Sequence, residues 1–260
     1  LRRWRYQPLG IPAILTYHTL MTGYAHYAKI AEKLIQKWII KKSKNYCNQY
    51  DEIITPGPSM EKLLKEYGVT TPITSIPTGI DLEAFKHPFS KEEIYAEWKI
   101  PQNHSKLLIS VGRIGKEKKI HDLLTAYKKL ITDYNHKDLH LLLIGPGNEL
   151  ENCKAWVTQN GIAEFTTFTD GMDKEKTERI FPVGTIFFSA SESETQGIVY
   201  MEAMAAGLPQ VASNKMGAKD YVVDNVTGYQ VDLNNDNYPD KIEYLLTHED
   251  IRQKMSEASS

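Results

Sequence analysis

The stretch Ser189-Ala-Ser-Glu-Ser-Glu-Thr-Gln-Gly-Ile-Val-Tyr-Met-Glu-Ala-Met-Ala-Ala-Gly207 decides how the chain is read. The apolar run Thr185-Ile-Phe-Phe188 enters it, and Leu208-Pro-Gln-Val-Ala212 leaves it towards a further strand. Between them lie a polar loop and an Ala/Met-rich segment suited to a buried helix. Strand, loop, helix, strand is the α/β pattern in which a ligand sits at a strand's carboxyl end and a helix amino terminus. Two carboxylates, Glu194 in the loop and Glu202 in the helix, are separated by seven residues. Helical spacing from Ile198 places Glu202 on the face turned towards the loop. An isolated Glu202 is as readily an exposed helical acid. A carboxylate in an otherwise apolar helix is costly unless something binds it.

Moving outward, the same alternation recurs. Strands are expected at Lys106–Gly112, Leu139–Ile144, Phe165–Phe168, Gln210–Ser213 and Gly228–Val231. Helices are expected near His121–Tyr134, Glu149–Gln159, Lys174–Phe181, Gly217–Val223, Tyr238–Leu246 and Glu249–Ser256. Repeated strand–helix units predict a parallel sheet covered on both faces. Upstream, Ile11–Tyr17 reads as a short buried strand and Glu52–Thr55 as another. Ser59 is placed to cap a helix running to Tyr67 and stopping at Gly68. A long helix is expected from about His26 to Asn48.

That long helix carries Lys29, Lys33, Lys37 and Lys41 at four-residue spacing, extended by Lys44. Residues 1–50 hold nine Lys/Arg and one acid, a net of +8. The remaining 22 bases and 32 acids give −10. A basic amphipathic helix without balancing acids points to an anionic partner. Few aromatics are interleaved and no nucleic-acid motif is present, so the expected partner is a membrane surface and not nucleic acid. Cys47 and Cys153 are too few for a disulfide framework or a zinc site. No apolar run approaches the roughly 18 residues that span a bilayer.

Glu194 and Glu202 with Gly197 between them, followed by Ala-Met-Ala-Ala-Gly-Leu-Pro, resemble the Glu-x7-Glu signature of the retaining family-four (group 1) glycosyltransferases. Gly112-Arg113 with Lys118, and Ile76-Pro-Thr-Gly-Ile-Asp81, resemble further segments of that family. Thr16-Tyr-His-Thr19 with Tyr24-x-His26-Tyr27, and Thr195-Gln196-Gly197 after the first Glu, resemble the bacterial diacylglycerol glucosyltransferases. Met21-Thr22-Gly23 departs from that pattern. The resemblance implies the α/β fold named GT-B, with two Rossmann-like domains. Residues 1–80 would be a partial acceptor-side domain, 81–236 the nucleotide-sugar domain, and 237–260 terminal helices. It also implies that earlier strand–helix units belong before Leu1, so the chain reads as a fragment that by itself does not turn over.

The roles carried over are these. Arg113 and Lys118 would bind the leaving diphosphate, after the strand that ends at Gly112. Glu194 would hold donor-sugar hydroxyls and Glu202 the ribose hydroxyls. Gln196, Gly197 and Ile198 would bring amides and a helix terminus to the phosphates. His18 would contact the donor sugar or position the acceptor. Gly145-Pro-Gly147 would lie near the base; with Leu at position 150 the third glycine of a dinucleotide fingerprint is missing. No Asp-x-Asp motif stands at a strand end, so the leaving charge is expected to be met by Arg113, Lys118 and amides, with no metal or other cofactor. The expected reaction moves a hexose, glucose from UDP-glucose, with retention onto a lipid such as diacylglycerol, at the inner face of the cell membrane. Alternatives are a phosphatidylinositol, polyprenyl lipid or polysaccharide acceptor, or a non-catalytic nucleotide-sugar or membrane-binding module.

Overall fold

The computed structural model describes residues 10–22, 32–235 and 238–259. The chain divides into two compact units. One comprises Leu1–Gly79 with Ser193–Gly197, and the other Ile80–Glu192 with Ile198–Ser260.

In the first unit, strand β1 (Ile14–Thr16), helix α1 (Glu32–Cys47), β2 (Glu52–Thr55), helix α2 (Pro58–Glu66) and β3 (Ile73–Ser75) form a parallel sheet in the order β1-β2-β3. Cys47, Ile53, Leu64 and Val69 make its core, with Leu15, Tyr17, Tyr67 and Ile73 against them. Two sequence expectations are corrected here. The strand at 11–17 is shorter and packs on one face only: Leu15 and Tyr17 lie against the core, while Ile14 is 57% exposed. Ser59 does not cap α2; Gly57 occupies the cap and Pro58 the first turn, where its missing N–H costs nothing. The helix end is as expected, with Gly68 at φ +81 after Tyr67.

Helix α1 turns Ser43 and Cys47 inward. Lys33, Lys37, Lys41 and Lys44 are all exposed on it. Leu34 and Trp38, expected to cover other faces, are 71% and 61% exposed. The Lys42 ammonium lies 5.6 Å from the Trp38 ring centre. Lys29, His26, Tyr24 and Tyr27 lie outside the described residues. No helix among the described residues is long and apolar enough to cross a membrane.

The second unit runs α3 (Lys91–Glu97), β4 (Lys106–Val111), α4 (Ile120–Thr132), β5 (Leu139–Ile144), α5 (Leu150–Gln159), β6 (Thr166–Thr169), α6 (Lys174–Ile180), β7 (Ile186–Ser189), α7 (Ile198–Ala205), β8 (Gln210–Ser213), α8 (Met216–Tyr221), β9 (Gly228–Val231), α9 (Tyr238–Thr247) and α10 (Glu249–Ser259). All strands are parallel, in the order β6-β5-β4-β7-β8-β9. Alternation within each strand sorts side chains onto two faces. Leu108, Leu141, Leu143, Ile186 and Phe188 pack with Leu123, Tyr127, Val157 and Ile242 from α4, α5 and α9. Leu107, Ile109, Leu142 and Ile144 pack with Ile94, Tyr95 and Ile180, and Phe187 with Tyr200 and Ala203. Each such burial contributes about 1.5–3 kcal/mol.

The sheet also buries a polar chain. His104 Nδ1 and His140 Nδ1 are 3.0 Å apart, and His140 Nε2 is 2.9 Å from Thr167 Oγ1. One Nδ1 must carry the proton and the other accept it. Burial, and then the neighbouring His104, push the His140 pKa down to about 3.

Candidate active site

Chain order reverses at β4. The next strand in sequence, β5, lies on one side of it, and β7 lies on the other. Loops leaving the carboxyl ends of β4 and β7 therefore flank the topological switch point, where open α/β sheets bind ligands. The β4 and β5 loops are locked together through glycine. Gly112 and Gly145 have φ of +146° and +144°. A Cβ on Gly145 would lie 2.2 Å from the Gly112 carbonyl oxygen, and one on Gly147 would lie 2.0 Å from that of Ile114. Ile114 N–H donates to Pro146 O at 2.8 Å, Gly112 N–H to Ile144 O at 2.9 Å, and Glu149 N–H to Ile114 O at 3.1 Å. Gly145-Pro-Gly147 is thus a brace for the loop that carries Arg113. This accounts for both glycines by close backbone approach rather than by a dinucleotide fingerprint.

After Gly112 the chain makes a short 3₁₀ helix, Lys116–Lys118, and Lys119 then opens α4 from the left-handed region at φ +51. The Arg113 guanidinium is half exposed, and its Nη2 donates to Glu117 Oε1. Lys118 is half-buried in the same turn, its N–H donating to Gly115 O at 3.0 Å. Lys119 Nζ pairs with Glu192 at 2.6 Å and so ties the β4 loop to the start of the β7 loop. The Lys119–Glu192 pair joins residues far apart in sequence and carries no local signal, whereas Arg113 and Glu117 stand four residues apart.

The β7 loop runs into α7 through Gly197, at φ +62, a conformation that favours glycine. Ile198 is the first helical residue, so the first-turn amides that lack intrahelical acceptors begin there. Glu202 lies one turn further on and is half-buried. Burial raises its pKa, Glu178 raises it further, and Lys174 opposes both. Lys174 Nζ lies 3.1 Å from the buried Glu178 carboxylate, and its own pKa is raised by that hydrogen bond and by the charges of Glu178, Glu202 and Asp81. Glu202 therefore sits among α6 charges that the sequence did not foretell.

The residues between Glu192 and Ile198 group with the first unit. Within that unit Thr195 Oγ1 donates to the His18 carbonyl at 2.6 Å, and Gln196 donates to Thr78 Oγ1. The structure thus brings the 193–197 loop to His18 through the main chain of His18, whose side chain is exposed. Glu194 is half-buried in this loop.

The second unit also holds two cavities. One of about 370 Å³ is lined by Thr185, Pro209 and Arg252, beneath the amino ends of β7 and β8. Another of about 730 Å³ is bordered by Asp81, His87, Lys174 and Glu178. Among the described residues no group of three or more His, Cys, Asp or Glu is arranged to hold a metal ion.

Known structures share this fold. Anabaena Alr3699/HepE in complex with UDP superposes with a TM-score of 0.80 at 15% identity, covering 99% of this chain and 68% of that one. A sucrose-phosphate synthase from Thermosynechococcus elongatus gives 0.76 at 22% identity, over 99% and 65%. Both support the GT-B fold. Residues 90–260 match the family described as glycosyl transferases group 1, and residues 1–84 match Glycosyltransferase Family 4. The chain belongs to the group 1 glycosyltransferases.

Among curated relatives, the alpha-monoglucosyldiacylglycerol synthase of Streptococcus pneumoniae is 29% identical over 86% of this chain and 51% of its own length. That of Acholeplasma laidlawii is 27% identical over 76% and 52%. The sulfoquinovosyl transferase SQD2 of Arabidopsis thaliana is 27% identical over 85% and 41%. The chain spans about half the length of the first two of these relatives.

Proposed function

We propose that the protein to which this chain belongs transfers glucose from UDP-glucose, with retention, onto a membrane lipid of the diacylglycerol type. The observation that carries the acceptor assignment is the outer face of α1, where Leu34 and Trp38 stand exposed among Lys33, Lys37, Lys41 and Lys44. Exposed large apolar side chains ringed by lysines suit an anionic bilayer surface: the apolar groups enter the interface while the lysines meet lipid phosphates. Similarity to glucosyldiacylglycerol synthases points to the same acceptor. The UDP bound by the HepE neighbour supports the nucleotide.

In this reading Arg113 and Lys118 neutralise the diphosphate as the bond from sugar C1 to phosphate oxygen breaks. Amides from Gln196 to Ile198 and the α7 terminus add fixed partial charge. Glu202 accepts the ribose hydroxyls, Glu194 orients the donor sugar, and His18 contacts the sugar or the acceptor. The acceptor hydroxyl attacks on the face from which the phosphate leaves. A leaving phosphate oxygen takes its proton, so configuration is retained. Arg113, Lys118 and the amides meet the leaving charge without a metal. The protein works as a peripheral enzyme on the inner face of the cell membrane.

The test is a transfer assay on the full-length protein with labelled UDP-glucose and diacylglycerol in anionic vesicles. Product mass and the anomeric proton coupling are read. An α-glucosyl lipid is expected. Transfer only to soluble glycans, a β product, or UDP binding without turnover would each replace this reading.

A further inference from the structure

The β4 loop holds a carboxylate that the donor reading leaves without a purpose. Glu117 is 5% exposed, while Arg113 beside it is half exposed. A buried acid beside a site for a diphosphate would by itself oppose binding, and burying it is costly unless it is paired. It is paired: Arg113 Nη2 donates to its Oε1. Burial pushes the Glu117 pKa up, but its own backbone N–H, Arg113 and Lys118 together bring it below the ordinary carboxylate value.

The room for this carboxylate comes from Gly115. At φ −136 and ψ 164 the residue is in ordinary extended conformation, so the backbone does not require glycine. The space does. A Cβ there would lie 2.6 Å and 2.7 Å from the two Glu117 oxygens. The three atoms nearest to an added methyl all belong to the end of the Glu117 side chain, so its effect falls first on the carboxylate.

We propose that Glu117, seated in the space left by Gly115, is a positioning residue that fixes the Arg113 guanidinium for the diphosphate of the nucleotide donor. This rests on the reading of Arg113 as a diphosphate ligand. A free arginine loses rotamer entropy when it is ordered. Ordering it beforehand removes part of that cost from the binding step. A guanidinium has five N–H donors, so a carboxylate that takes Nη2 does not exhaust the fork.

The experiment uses the full-length protein, with calorimetric titration of UDP and competition by uridine, which lacks phosphate. Glu117→Gln and Gly115→Ala are each expected to weaken UDP by about five- to twentyfold and to leave uridine within about twofold. In Arg113→Ala, adding Glu117→Gln should cost no further affinity. Gly115→Ala should keep the wild-type unfolding midpoint, which covers the case in which Glu117→Gln folds poorly. If Arg113→Ala weakens UDP while both loop variants bind it like wild type, the positioning role is overturned and the Arg113 reading survives. Equal losses for UDP and uridine would make Glu117 a structural residue only, also overturning the proposal. If wild type ignores UDP, or Arg113→Ala binds it unchanged, the donor reading fails first and takes this proposal with it.

Discussion

In the second unit β5 buries all six of its residues, and α4 buries seven of its thirteen. In the first unit β1 leaves Ile14 outside, and α1 leaves Leu34 and Trp38 outside. Both units are built from parallel strands and covering helices, so the contrast does not come from architecture. One unit spends its apolar pattern on its own interior, and its site is held by backbone contacts too close for a side chain. The other keeps large apolar groups at the surface, beside lysines. An exposed apolar patch rimmed by charge marks an interaction surface.

The contrast can be broken most severely at Gly145. Gly145→Ala places a methyl against the Gly112 carbonyl and imposes a φ of +144° on an L residue. A loss of about 3 kcal/mol or more in unfolding free energy is expected, read by urea titration. A loss under about 1 kcal/mol would mean that the loops are not braced as described.

Acid comes next. The unfolded chain protonates His140 near 6.5, but the folded state only near about 3. Between those values the unfolded state binds more protons, so stability declines as pH falls through this window, by an amount on the order of a few kcal/mol. Urea midpoints at pH 7 and 4.5 measure it. Replacing His140 by Gln should flatten the dependence, and an unchanged slope would assign the acid sensitivity elsewhere.

In the first unit the effects should fall on binding instead. Leu34→Ser with Trp38→Ser is expected to lower partition onto anionic vesicles by about tenfold to a hundredfold. Folding stability should move by no more than about 0.5 kcal/mol. A large stability loss with unchanged partition would make this face structural and erase the contrast. The smallest effect is expected from Lys37→Gln, worth about 1 kcal/mol of vesicle binding together with a shallower salt dependence. Binding that ignores salt would remove the lysines from the surface.

Much of this was legible in the sequence, because strands buried on both faces announce themselves. Gln210–Ser213 and Gly228–Val231 lie where the apolar runs place them. A strand packed on one face does not: the Ile11–Tyr17 run is apolar enough for a core, yet Leu15 and Tyr17 pack while Ile14 is exposed. Ser59 shows a local rule losing to a stronger one, since Pro58 had already set the first turn. The spacing of Glu194 and Glu202 and the strand-end place of Arg113 were readable. Lys119 against Glu192 was not, because it depends on where two loops settle in three dimensions; Arg113–Glu117 and Lys174–Glu178 are four apart in sequence, and only the burial of their carboxylates was hidden.

The β4–β7 pairing also governs when the site comes into being. β5 and β6 find their partners close by in sequence, whereas the link from Leu107 N–H to Thr185 Oγ1 joins residues 78 apart. Closing that long loop has to precede any reward from the contacts it makes, so this seam is slow to form. The strand ends that carry Arg113 and Glu192 meet across it. Assembly of this site is therefore a late property of the folding chain. Pulsed hydrogen exchange is expected to protect the amides of β5 before those of Ile186 and Phe187; the reverse order would place the seam early.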